Sequence, residues 1–150
     1  MTRKLPYAAL ASCLLLAVAC TTVRVPSTAA SREIAGVGAM LSVERFLQAA
    51  NAKDFEAMQV LFGSYDGPIK GDRRELELRM AAIAEILSHE DYEIVSEERE
   101  PGREHPTTRV LVTLTKKGGE PIEGVPFLVV QTEAGGYLVE QVDLAYIMKG

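Results

Sequence analysis

Tyr92, Tyr137, Asp143 and Tyr146 are the residues of this chain whose types best suit acid–base work on a small molecule. A carboxylate beside apolar neighbours, as Asp143 is beside Val142 and Leu144, becomes a useful base when desolvation lifts its pKa toward neutrality. Such a shift is the general requirement for a carboxylate base working near neutral pH. The plainer reading makes strand tyrosines half-buried packing with the hydroxyl at the rim, and puts the Asp143 carboxylate at the surface or hydrogen-bonded there. Spacing alone assigns no catalytic residue. His89-Glu90-Asp91 is the densest set of metal-capable groups, yet successive helical residues point about 100° apart and cannot converge on one ion. His105 is the second of only two imidazoles. A histidine near a helix C-terminus is explained by the negative end of the helix dipole, so neither a metal site nor a cofactor is expected. Lys117-Gly-Gly119 and Gly135-Gly136 lack the strand-then-helix setting of a phosphate loop and read as hairpin turns. Glu97-Glu-Arg-Glu100 reads as solvated surface or a charge-protected edge strand.

The N-terminus carries chemistry of another kind. Arg3 and Lys4 form a basic start, Leu5 to Val18 an apolar run, and Ala19 a small residue before Cys20, the layout of an export signal. Leu16-Ala-Val-Ala-Cys20 resembles the lipobox of bacterial lipoproteins. That resemblance implies cleavage after Ala19, a diacylglycerol thioether on Cys20, and attachment to the membrane through the lipidated N-terminus. Two or three acyl chains make such attachment durable where one does not. It also implies the bacterial cell envelope. Thr21 stands where an Asp would favour inner-membrane retention, so the outer membrane is the expected home if the host has one, with the domain on the periplasmic side. Three alternatives stay open. Ala17-Val-Ala19 also spells an ordinary secretory cleavage site, which leaves Cys20 an unpaired thiol. Leu10-Ala-Ser-Cys13 is a second lipobox spelling, which would strand Leu14 to Ala19 on the mature chain. A transmembrane anchor fits worst, because Leu5 to Ala19 is fifteen residues against the ~20 needed to span.

Cleavage takes the formal charge from −5 to −7, since Arg3 and Lys4 leave and no acid does. An acidic chain does not attract a polyanion, so nucleic acid is not an expected partner. A protein partner or a small apolar ligand remains. Cys13 and Cys20 are the two cysteines and there is no Trp, which removes disulfide scaffolding, thiol catalysis and cysteine-based zinc sites from the mature chain. The expected organisation is a signal peptide over 1–19, a lipidated cysteine and flexible tether over 20–35, and one domain over 36–150. Thr21 to Arg32, rich in Thr, Ser, Pro and Ala, supplies the tether.

Val37, Met40, Leu41, Val43, Phe46, Leu47 and Ala50 recur at helical spacing and predict a helix over Val37 to Asn51. Asp54 caps a second, with Phe55, Met58, Leu61 and Phe62 as its stripe and Gly63 as its stop. Ser64 to Gly71 is a loop with room for a very short strand. Asp72-Arg-Arg-Glu75 is a capping box opening a third helix whose buried face is Leu76, Met80, Ile83 and Leu87. From Tyr92 the period becomes two. Strands follow over Tyr92 to Glu97, about Arg109 to Leu114, Val125 to Thr132 and Tyr137 to Tyr146, with Pro101-Gly102 among the turns between them.

Val43-Glu-Arg-Phe-Leu-Gln-Ala-Ala-Asn-Ala-Lys-Asp-Phe-Glu-Ala-Met-Gln-Val-Leu-Phe62 resembles the opening helical hairpin of the nuclear transport factor two-like superfamily, which includes ketosteroid-isomerase-like and polyketide-cyclase-like proteins. The close likeness covers residues 41–62; the rest agrees in the order of elements. The resemblance implies an α+β fold, with three N-terminal helices packed on a curved antiparallel sheet of about four strands, cone-like. Tyr92, Tyr137, Asp143 and Tyr146 are then the residues that can face the cone interior. Relatives include isomerases, dehydratases and cyclases that hold a small substrate there, whereas a cone filled with apolar side chains makes a non-catalytic binding or accessory module. The stretch between Gly63 and Asp72 is shorter than in many relatives, and the large apolar groups on helices and strands suffice to fill the space. The second reading is expected.

Overall fold

Two aspartates decide where helices begin. Asp54 Oδ1 accepts from the amide of Ala57 at 3.0 Å. Asp72 Oδ1 accepts from the amides of Arg74 and Glu75 at 3.0 and 3.2 Å, satisfying first-turn donors that have no partner within the helix. They open α2, Phe55–Leu61, and α3, Arg73–Leu87. Asp72→Ala is expected to cost about 1 kcal/mol, read as a lower unfolding midpoint; an unmoved midpoint would show the cap to be idle.

The computed structural model describes the backbone of residues 27–149 and the side chains of residues 38–149. Expectations that concern Cys13, Cys20, cleavage and lipid fall on residues outside these. The first described element is α1, Ser27–Ala52, which begins ahead of the expected Val37 and inside the stretch expected as tether. Ala29, Ala30, Glu33 and Ala35 are good helix formers. Among the described residues no helix is long and apolar enough to cross a membrane.

Lys53 joins α1 to α2 at φ 54°. Its amide bonds to Ala50 O at 3.1 Å and that of Asp54 to Ala49 O at 2.9 Å, the paired bonds of a Schellman C-cap with Lys where Gly is usual. After α2, Phe62 is extended rather than helical. The chain then forms a minimal antiparallel hairpin, β1 Gly63–Ser64 and β2 Gly67–Pro68.

Four strands follow α3: β3 Asp91–Arg99, β4 Thr107–Thr115, β5 Pro121–Gln131 and β6 Tyr137–Val142. They pair antiparallel in the order β3-β4-β5-β6, so the domain is α+β. Register shifts interrupt the pairing at Ile94/Ser96, Val112/Leu114 and Leu128/Val129; bulges of this kind bend a strand and increase its twist. Alternate residues of the central strands point inward: Val110, Val112 and Leu114 of β4, and Val125, Phe127 and Val129 of β5. They join Val43, Phe46 and Leu47 of α1, Met58 of α2, and Met80, Ile83 and Leu87 of α3 in one apolar cluster.

The expected fourth strand is too long. β6 stops at Val142, and Leu144–Lys149 forms a short helix, α4. Asp143 Oδ1 accepts from the amide of Tyr146 at 3.0 Å, which caps α4, while Ile147 is buried and Leu144 packs against the core. Spacing of three brings those two apolar residues to one side, and the strand period expected through Tyr146 gives way to it.

Candidate functional site

Tyr92 sits near the start of β3, where α1 lays Glu44 and Gln48, one helical turn apart, across it. Its hydroxyl donates to Glu44 Oε1 at 3.1 Å, and Gln48 Nε2 reaches both Glu44 Oε1 and the Tyr92 hydroxyl, at 3.4 and 3.5 Å. The His89 ring stands edge-on to Tyr92 with centroids 5.4 Å apart. Asn51 holds His89 in place: its Nδ2 donates to His89 O at 2.9 Å and its Oδ1 accepts from the His89 amide at 3.1 Å. His89 Nδ1 lies 2.8 Å from Leu87 O. A carbonyl only accepts, so Nδ1 is the donor in this contact.

Burial, followed by the carboxylate of Glu44, raises the Tyr92 pKa above its ordinary 10.0, against the opposing hydrogen bond from Gln48. A raised folded value means the stabilisation is fully present below 10.0 and is lost as pH climbs through the raised value. Phenolate absorbance should therefore show one tyrosine ionising late, and Tyr92→Phe should remove that component. A titration unaltered by the substitution would contradict this.

Tyr137 is elsewhere. Its ring packs so closely on Gly38 of α1 that a Cβ at that position would overlap it, and its carbonyl accepts from Ser42 Oγ at 3.0 Å. Asp143 and Tyr146 meet only through the α4 cap. The Tyr146 hydroxyl donates to Glu123 O at 2.9 Å, and Asp143 borders a shallow hollow of about 410 Å³ with Arg109, Leu111, Pro126, Leu128 and Gln141. Leu111 and Leu128 alternate with the buried residues of their strands, so this hollow lies on the sheet face turned away from the core. Among the described residues no hydrogen bond joins Tyr92, Tyr137 and Asp143, and the four residues do not converge on one site.

Among the described residues, large apolar side chains extend into the space between helices and sheet. Phe46, Leu47, Met58, Met80, Leu114 and Phe127 are fully buried within it, and Phe46 stacks on Phe62 with centroids 5.8 Å apart. A hollow of about 420 Å³ lies outside this core, where Phe62, Pro68, Ile69, Asp66, Lys70 and Glu140 surround the β1–β2 hairpin. That size falls in the range of small-molecule sites. Glu140 is paired with Arg103 at 3.0 Å, and the Arg79 guanidinium lies 5.5 Å from the Phe62 ring centre.

Several of these contacts have no local signal in the sequence. Asn51–His89, Arg103–Glu140 and the parallel Tyr65–His105 stack at 3.8 Å join residues far apart in the chain. The Lys116 ammonium donates to Ile86 O near the end of α3, a favourable place for a cation, and desolvation there lowers its pKa. No protein-family model, curated protein or solved structure matches this chain.

Proposed function

We propose that this chain is a lipid-anchored lipoprotein of the bacterial cell envelope, held by Cys20 and displaying a non-catalytic binding or accessory module of cone-like, nuclear transport factor two-like architecture. Cleavage after Ala19 releases residues 1–19, and the domain stands on the periplasmic side, at the outer membrane where the host has one. The observation that carries the non-catalytic reading is the set of large apolar side chains extending into the space between helices and sheet. An isomerase, dehydratase or cyclase of this architecture needs an open pocket there with convergent polar groups. Tyr92, Tyr137 and Asp143 instead serve a helix–strand tie, a helix contact and a helix cap. The bulged strands support a curved sheet with α1, α2 and α3 on its inner face. Partners are then the membrane through the lipid, together with a protein or small apolar ligand at a surface such as the hairpin hollow.

The anchor is tested by labelled fatty acid and cell fractionation. Cys20→Ser should reduce incorporation to background and release the protein from membranes, while Cys13→Ser should change neither. Lipidation surviving Cys20→Ser, or lost in Cys13→Ser alone, would overturn the assignment.

A further inference from the structure

The strand registers divide the domain into two ends. Arg99 faces Thr108, Thr107 faces Val130, and Gln131 faces Tyr137 at one end, while Asp91, Thr115 and Pro121 are aligned at the other. The first end carries the β3–β4 and β5–β6 loops, and the β1–β2 turn joins them there. The Glu133 amide donates to Tyr65 O at 3.1 Å, and the Tyr65 ring stacks on His105. Three loops are thus braced against one another. The second end carries the tight turn at Lys117–Gly119, the close of α3 and the Tyr92–His89 cluster.

α1 runs from the first end to the second. Gly38 and Ser42 meet Tyr137; Glu44 and Gln48 meet Tyr92, and Asn51 meets His89. Continued backwards, the helix leaves the sheet at the loop end. Its first eleven residues, Ser27 to Val37, are roughly 16 Å of axis. Only six residues, Thr21 to Pro26, separate them from Cys20, a reach of at most about 20 Å.

We propose that α1 is an orienting stalk that holds the domain with its loop end toward the bilayer surface and its Tyr92–His89 end facing away. This rests on the lipid-anchor reading. The interaction surface is the braced loop end and its partner is a lipid surface. At that end Asp66, Glu100, Glu104 and Glu133 outnumber Arg99 and Arg103, and Arg103 is already paired with Glu140, so attraction to anionic headgroups does not bring it there. Stalk and link length do, and the orientation is the same on neutral and on anionic bilayers.

The test uses the mature lipidated chain, beginning at Cys20, in phosphatidylcholine vesicles carrying a headgroup quencher. A fluorophore is placed at one exposed position, Glu104→Cys at the loop end or Lys117→Cys at the turn end. Quenching several-fold stronger at position 104 is expected, and unchanged when phosphatidylglycerol is added. A twelve-residue Gly-Ser insertion between Pro26 and Ser27 should equalise the two labels while the protein still floats with the vesicles. Equal or reversed quenching in the uninserted chain, with flotation intact, overturns the orientation and leaves the anchor standing. A bias that persists after the insertion shows that the stalk does not set it. Failure to float removes the anchor reading and this inference with it.

Discussion

Phe127→Ala is expected to cost about 3–5 kcal/mol of folding free energy, lost transfer energy plus the cavity left behind. Phe127 is fully buried on β5, aligned with Val110 on one side and Val142 on the other, so neighbours on both flanks limit how far the site can collapse. Domains of this size hold about 5–15 kcal/mol in total, and the variant should sit near the edge of folding at physiological temperature. Denaturant unfolding reads this directly, as a midpoint displaced with little change in slope. The measurement also bears on function. In a cone that enclosed a substrate pocket, truncating an inward ring would enlarge an existing cavity and cost far less. A loss below about 1 kcal/mol, short of the range for ring removal in a packed core, would mean that the interior is already open and would return the enzyme reading to favour.

The second large effect is expected at Gly63. A Cβ there would overlap the carbonyl oxygen of Gly67 and come within 2.8 Å of Pro68 Cα. Both are backbone atoms of the facing strand, so no side-chain rotation relieves the conflict. The hairpin must open. That loosens the Ile69 amide bond to Phe62 O, 2.8 Å long, and the bridge between Phe62 and Val139, which together hold the aromatic floor of the neighbouring hollow. Gly63→Ala is expected to cost about 1–3 kcal/mol, the usual range for overpacking, with faster amide exchange at Ile69. Gly119→Ala is the control, because its nearest contact would be 3.4 Å from the Lys116 Cβ, and its midpoint should scarcely move. Equal behaviour of the two variants would show the hairpin to be compliant.

Much of this architecture is written locally. The caps at Asp54 and Asp72, the two-residue alternation on β4, and the turns at Pro101-Gly102, Lys117–Gly119 and Gly135-Gly136 follow from short-range chemistry that neighbouring residues display. The end of the chain shows where this stops. Val142 and Leu144 continue a strand period, while Leu144 and Ile147 begin a helical one, and six residues are too few for pattern to choose. Asp143 looks like a candidate base for the same reason: a carboxylate between apolar residues has one appearance whether it is desolvated in a pocket or accepting an amide at a helix start. The early start of α1 was obscured by composition, since Ser, Thr, Ala and Pro suit both a tether and a capped helix. The side-chain ties of the candidate sites are a different case. Asn51 and His89 lie 38 residues apart and Glu44 and Tyr92 lie 48 apart, and nothing in either neighbourhood names its partner.

The bond from Ser42 to the Tyr137 carbonyl spans 95 residues, and it has a consequence for how the chain comes together. Each strand of the sheet pairs with the one before it in sequence, so the meander can close by short loops as it is made. α1 cannot. In a chain that emerges N-terminus first, its apolar stripe of Val43, Phe46 and Leu47 meets the central strands early but waits for β6 before its own entry end is tied down. Over that interval α1 is held by α2 and α3, which follow it directly in sequence, and the last strand to arrive ties down its entry end.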